Sequence, residues 1–244
     1  MLEVRLRHGL GALRLEVEFA LAAPWTVLFG PSGSGKTTVL RAVAGLVRPE
    51  AGRIVSGGRV LVDTKAGVFV PAHARPVRSA AQAARLFPGM SVRENVRYGM
   101  GWGSRGSRGE DQRQVLEEVM ELLRVDRLAG RRPEALSGGE RQRVSVARAV
   151  AAAVAFDGEG KVMLLLDEPF AGLDGVLRDE VAVELRDWLG VRGVSVLSVS
   201  HDVGECFLLG AEVVRMAEGT VVEQGPVESV LGAERRRLLE RLGV

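Results

Sequence analysis

The 244 residues, 46% of them hydrophobic and 26% charged, suffice for one large domain or two small ones around a substantial core. A net charge of +2 is too small to point to a nucleic-acid partner, and the longest uncharged apolar run, Ala149 to Phe156, is far too short to cross a bilayer. Met1-Leu2-Glu3-Val4-Arg5 holds no apolar signal-peptide core, and the single cysteine, Cys206, allows no internal disulfide, which fits a reducing compartment.

The first stretch alternates. Leu2, Val4 and Leu6, then Leu13, Leu15, Val17 and Phe19, recur at period two, which predicts strands with one exposed face joined near Gly9-Leu10-Gly11. Trp25–Phe29 predicts a short buried strand, and Thr38–Leu46 has helical apolar spacing with Gly45 near its end. Between them, Gly30-Pro31-Ser32-Gly33-Ser34-Gly35-Lys36-Thr37 matches G-x-x-x-x-G-K-[ST] in the strand–loop–helix setting that a phosphate-binding loop needs. Glycines let the backbone wrap round a pyrophosphate, so that N–H groups and the positive end of a helix face the anion. Lys36 is expected to reach the outer phosphates and the Thr37 hydroxyl to hold magnesium, with Thr38 beside it. With 31 glycines and three lysines, composition alone would produce the fixed positions in roughly one such chain in three hundred. Ile54-Val55 and Val60-Leu61-Val62 flank a Gly57-Gly58 turn and predict a hairpin.

From Ser91 the character becomes helical. Ser91-Val92-Arg93-Glu94 is a capping box, Val115–Leu123 has helical spacing, and Gly101–Asp111 predicts an exposed loop. Leu136-Ser137-Gly138-Gly139-Glu140-Arg141-Gln142-Arg143 opens with a second capping box, followed at once by two glycines that cost a helix roughly 1 kcal/mol each. Bare first-turn positions leave the N–H groups accessible to an anion. Val162–Leu166 and Val194–Val199 predict fully buried parallel strands. Asp167-Glu168 follows the first of these, at the strand end where α/β proteins bind ligands. There Asp167 would hold magnesium through water, and Glu168 would take a proton from, or polarise, the water attacking a γ-phosphorus. Arg235-Arg236-Arg237 lies in a terminal helix and is expected to be a solvated face.

The phosphate loop, Leu-Ser-Gly-Gly-Glu at 136–140 and Leu-Leu-Asp-Glu-Pro at 165–169, in this order and spacing, resemble an ATP-binding cassette (ABC) ATPase over essentially the whole chain. The resemblance implies an α/β P-loop NTPase with a RecA-like core, an antiparallel β subdomain and an inserted α-helical subdomain. Its expected limits are 1–85 with 160–244 for the core and 86–159 for the insertion. It implies ATP and Mg2+ as ligands and a head-to-tail homodimer, in which Ser137, Gly138 and Gly139 of one copy close on ATP held by the phosphate loop of another. Ala171-Gly172-Leu173-Asp174 resembles the loop whose aspartate, Asp174, links the two sites. His201, after the second buried strand, resembles the switch histidine that senses the γ-phosphate. Gln82, leading to Leu86-Phe87-Pro88, resembles the glutamine that binds magnesium and couples the core to the helical subdomain.

Three departures stand out. Val77-Arg78-Ser79-Ala80-Ala81 replaces the usual aromatic and glycine before Gln82, so a weaker strand is expected there. The first hairpin offers only His8 where members often stack adenine on an aromatic ring. Asp157-Gly158-Glu159-Gly160 lengthens the connector before the acidic pair, as a surface turn. One cassette without sustained heptads favours transport over a soluble cassette protein. Expected partners are two integral-membrane permease subunits and, indirectly, a solute-binding protein, with no nucleic acid, at the cytoplasmic face of the membrane. The stretches 52–63, 84–88 and 96–100 look most like molybdate importer ATPases, with sulfate, iron or other solutes as alternatives. Many of those ATPases carry a C-terminal oxyanion-binding regulatory domain, which a chain stopping at Val244 is expected to lack.

Overall fold

A computed structural model describes residues 1–100, 108–156 and 161–242. The chain forms two compact units, Met1–Arg75 with Leu197–Val244, and Pro76–Val196.

The first unit is a layer of strands: β1 (Leu2–Leu10), β2 (Leu13–Ala20), β3 (Trp25–Phe29), β4 (Ala51–Ser56), β5 (Arg59–Asp63) and β6 (Val68–Phe69). Alternation builds its antiparallel part. Leu2, Val4 and Leu6 are buried while Glu3, Arg5 and Arg7 face solvent. Opposite them on β2, Glu18 pairs with Arg5 and Glu16 bonds Arg7 at 2.9 Å. Such exposed pairs fix register more than they stabilise. The expected Gly57-Gly58 hairpin joins β4 to β5. Helix α1 (Lys36–Ala44) follows β3 and starts two residues before the helical spacing predicted, because the glycine loop before it runs straight into its first turn.

In the second unit, β7 (Val77–Ala80) pairs in parallel with β8 (Met163–Asp167) from Val77↔Met163 to Ala80↔Leu166. The polar run before Gln82 therefore does make a strand, though one of only four residues; Arg78 lies 4.8 Å over the Phe156 ring. All five residues of β8 are buried, as the apolar run required. The helices here are α2 (Val92–Tyr98), α3 (Arg108–Leu122), α4 (Gly138–Val154) and α5 (Gly175–Val191). Helix α3 begins at Arg108, inside the stretch expected to be loop; residues 101–107 lie outside the described residues, as does the connector 157–160.

The chain returns to the first unit along β9 (Ser195–Ser200), then α6 (Val203–Leu208), β10 (Glu212–Ala217), β11 (Thr220–Pro226) and α7 (Val227–Leu242). The strand order there is β6-β5-β4-β1-β2-β11-β10-β3-β9, with β10 parallel to β3. Arg235, Arg236 and Arg237 are exposed on α7, as a solvated face requires. No helix among the described residues is long and apolar enough to cross a membrane.

Candidate functional site

In the first unit, β3 delivers the chain from a buried strand into the loop 30–37. Gly30, at φ 150, passes so close to β10 that a Cβ there would stand 2.1 Å from the Met216 carbonyl oxygen. Gly35, at φ 99, occupies the N-cap of α1; a Cβ would meet Leu15 Cδ1 at 2.6 Å, and no side chain caps the helix. A Cβ on Gly33 would meet nothing within 4 Å, so the loop is open on that side. These positions fit a backbone cradle for a phosphate chain. Lys36 is buried, and its Nζ donates to the Gly30 carbonyl at 2.7 Å, the Pro31 carbonyl at 2.8 Å and Ser34 Oγ at 3.5 Å. The ammonium thus rests on the loop's own oxygens. Thr37 and Thr38 follow on the first turn, half-buried.

The far end of α1 is anchored. Gly45 caps it with φ 81, and the buried Arg75 guanidinium donates to the Ala42 and Val43 carbonyls at 2.8 and 2.7 Å. Those carbonyls are the negative end of the helix, so the cation completes it; burial pushes the Arg75 pKa down to about 10. His201 is exposed just beyond β9, the strand next to β3 in the sheet, and Asp202 behind it caps α6 by accepting from Glu205 N at 3.0 Å. His8 pairs with Leu15 across the first hairpin, its Nδ1 4.0 Å from Glu50 Oε1.

In the second unit, Asp167 ends β8 with 4% of its surface exposed. Glu168 takes φ 48, a left-handed conformation that a non-glycine residue holds only at a cost of about 1–3 kcal/mol. Its Oε2 accepts from Gln82 Nε2 at 3.0 Å. The glutamine expected from spacing therefore does meet the expected general base. Ser137 caps α4 through a complete capping box: its Oγ accepts from Glu140 N at 3.2 Å, and Glu140 Oε2 accepts from Ser137 N at 2.7 Å. That backbone bond, with the hydroxyl's help, holds the Glu140 carboxyl below its ordinary range. Gly138 has open space where a Cβ would be, whereas a Cβ on Gly139 would lie 2.7 Å from the Gly172 carbonyl oxygen. Gly139 thus admits the 171–174 loop, whose Asp174 in turn caps α5 by accepting from Leu177 N at 3.1 Å.

One residue in this unit escaped the reading of the sequence. Gln142, buried on α4, directs Nε2 at the carbonyls of Asp167 and Glu168, both at a long 3.4 Å. The available signal was a polar side chain on the apolar face of a helix, three and seven residues before the buried Ser145 and Ala149.

The profile of the ABC transporter family matches residues 17–171. The chain belongs to that family. Among curated relatives, it is 43% identical over 228 residues to the Molybdenum import ATP-binding protein ModC of Mesorhizobium japonicum, covering 93% of this chain and 59% of the relative. The ModC of Mycobacterium tuberculosis is 39% identical over 246 residues, covering 99% of this chain and 64% of the relative. The cassette thus spans about three fifths of the length of these relatives. Among solved structures, the dimeric post-hydrolysis ATP-binding cassette MJ0796, bound to ADP and Pi, aligns at TM-score 0.75 with 22% identity, covering 93% of this chain and 99% of that one. The cbiO1 protein of Clostridium perfringens, part of the transporter complex cbiONQ, aligns at 0.75 with 23% identity, covering 99% and 95%. At such identities the likeness establishes the fold: an α/β ATP-binding cassette of the P-loop NTPase kind, as the motifs implied.

Proposed function

We propose that this chain is the ATP-binding and ATP-hydrolysing part of an ABC importer for molybdate or a related oxyanion. The observation that carries the substrate is the 43% identity to a relative named for molybdenum import; the relatives' shared name over 93% to 99% of this chain adds to it. For the chemistry, the Gln82–Glu168 hydrogen bond carries most weight, since it joins the residue expected to sense the ligand to the expected base.

On this reading, the N–H groups of Gly30–Thr37 and the N-terminus of α1 bind the phosphates of ATP, with Pro31, Ser32 and Ser34 shaping the turn. Lys36 exchanges the Gly30 and Pro31 carbonyls for the outer phosphate oxygens. The hydroxyl of Thr37, the amide oxygen of Gln82 and the carboxylate of Asp167, all oxygen donors of the kind Mg2+ takes, would hold that ion. When bound, that ion would neutralise charge on the β- and γ-phosphates. Glu168 takes the proton of the attacking water, and His201 contacts the γ-phosphate. Ser137, Gly138 and Gly139 of a second copy close the site, with Asp174 linking the two sites of the homodimer. The helical segment 86–159 transmits closure to two membrane permease subunits at the cytoplasmic face, which in turn receive solute from a binding protein.

The test has two stages. Glu168→Gln protein, slow to hydrolyse, should run as a dimer on size exclusion with ATP and magnesium; a persistent monomer refutes the shared site. Co-purification of a membrane subunit should then allow uptake of labelled molybdate into vesicles. Uptake of sulfate or iron in its place would move the substrate, and failure to recover any membrane subunit would point to a soluble ATPase.

A further inference from the structure

Helix α4 does more than present Ser137. Eleven residues further along it, about 16 Å at 1.5 Å per residue, Arg148 leaves the helix toward the segment after Gln82. Its Nη2 donates to the Arg85 carbonyl at 2.6 Å, its Nη1 reaches Asn95 Oδ1 at 3.4 Å, and its guanidinium lies 5.3 Å over the Phe87 ring. Asn95, wholly buried on α2, grips the same segment. It accepts from Phe87 N at 2.8 Å and donates to the Phe87, Met90 and Ser91 carbonyls at 3.2, 3.1 and 3.1 Å. Residues 85–91 are thus carried by side chains of two helices, and are no independent loop.

The two helices are locked in turn. A Cβ on Gly99, which ends α2, would lie 2.5 Å from the Arg148 carbonyl oxygen, so nothing can slip between them. What this clamp presents is a pair of aromatic rings: Phe87 and Tyr98, with centroids 4.3 Å apart, are 38% and 44% exposed. Paired exposed aromatics mark an interface more often than scattered apolar residues do. A planar guanidinium that bonds a carbonyl and stacks on a ring fixes both position and orientation, which a flexible ammonium does not.

We propose that Arg148 is a positioning residue that makes the Phe87–Tyr98 surface and the Ser137 end of α4 move as one body, so that closure on ATP is felt at the exposed rings. This rests on the functional reading above. Tyr98 is the only tyrosine of the chain, so 3-fluorotyrosine gives one fluorine resonance at the surface in question. In Glu168→Gln protein, ATP with magnesium should shift that resonance. Adding Arg148→Met should abolish the shift while the ATP dissociation constant stays within about threefold.

A shift that survives Arg148→Met, or a parent protein that binds ATP without any shift, overturns the proposal. A parent that binds no ATP refutes the functional reading itself, and binding measured by calorimetry separates that failure from the other two. Should Arg148→Met not fold, Arg148→Lys takes its place, and a loss of less than about half the shift then overturns the proposal. That variant keeps the charge and loses the fork and the stack, so roughly half the shift or more should disappear.

Discussion

Two helices of this protein begin with glycine at a place where phosphate is expected, and they begin in opposite ways. Helix α1 has Gly35 at its N-cap, no side-chain cap and no acid in its first turn. Helix α4 has Ser137 at its N-cap, a complete capping box and Glu140 in its first turn. An uncapped N-terminus keeps its donors for an incoming anion, and its dipole is uncompensated. A boxed one has already spent two donors internally and carries a carboxylate that offsets the dipole. The first is built to be completed by a ligand; the second is stable by itself and can only lend what its bare Gly138 leaves open. That contrast suits one helix that holds a nucleotide and another that closes over it from a second copy.

Changing the charge on each helix separates the two designs. Lys36→Ala should cut ATP hydrolysis by at least about two orders of magnitude, the scale of losing one preorganised charge donor, with the folded state retained; phosphate release and a melting curve would read both. Hydrolysis within a few-fold of the parent would break the assignment of the loop. A smaller effect is expected at the other end of the comparison. Ser137→Ala should cost about 1 kcal/mol of stability in urea unfolding without ATP, because the cap it removes is internal.

The smallest effect is in acid. The folded-state carboxyl of Glu140 is held below its ordinary value of 4.5, first by the Ser137 backbone N–H. Its contribution is therefore fully present above pH 4.5 and lost as pH falls through the lowered folded value. The stability gap between the parent and Glu140→Gln should close in that window. A constant gap across the pH series would show that the box contributes nothing through charge.

Reading the sequence went furthest where function is local. The loop 30–37, both capping boxes, the buried strand before Asp167 and the first hairpin follow from spacing and residue type, because a turn or a cap is decided within a few residues. The Gln82 position followed from its resemblance to the family's glutamine before Leu86-Phe87-Pro88, and the structure adds its hydrogen bond to Glu168. Less legible was anything set by contact between distant segments. The four-residue strand β7 forms despite its polar run, because β8 offers it a complete parallel register. Gln142, a polar residue on the apolar face of its helix, and Arg148 have no partner visible until the carbonyls they serve, 25 and 63 residues away in sequence, are brought beside them.

By itself, then, the sequence determined the glycine loop 30–37 and the two capping boxes, since glycines and caps at fixed spacing carry their own geometry, and the order of its motifs carried the resemblance to the family. Only the tertiary structure decided that Arg75 completes the far end of α1, that Gly139 makes room for Gly172, and that Arg148 and Asn95 hold the exposed aromatic pair. The reason is physical: a buried arginine or asparagine is tolerated only where backbone carbonyls converge on it, and which carbonyls converge is settled by packing, not by neighbours in the chain.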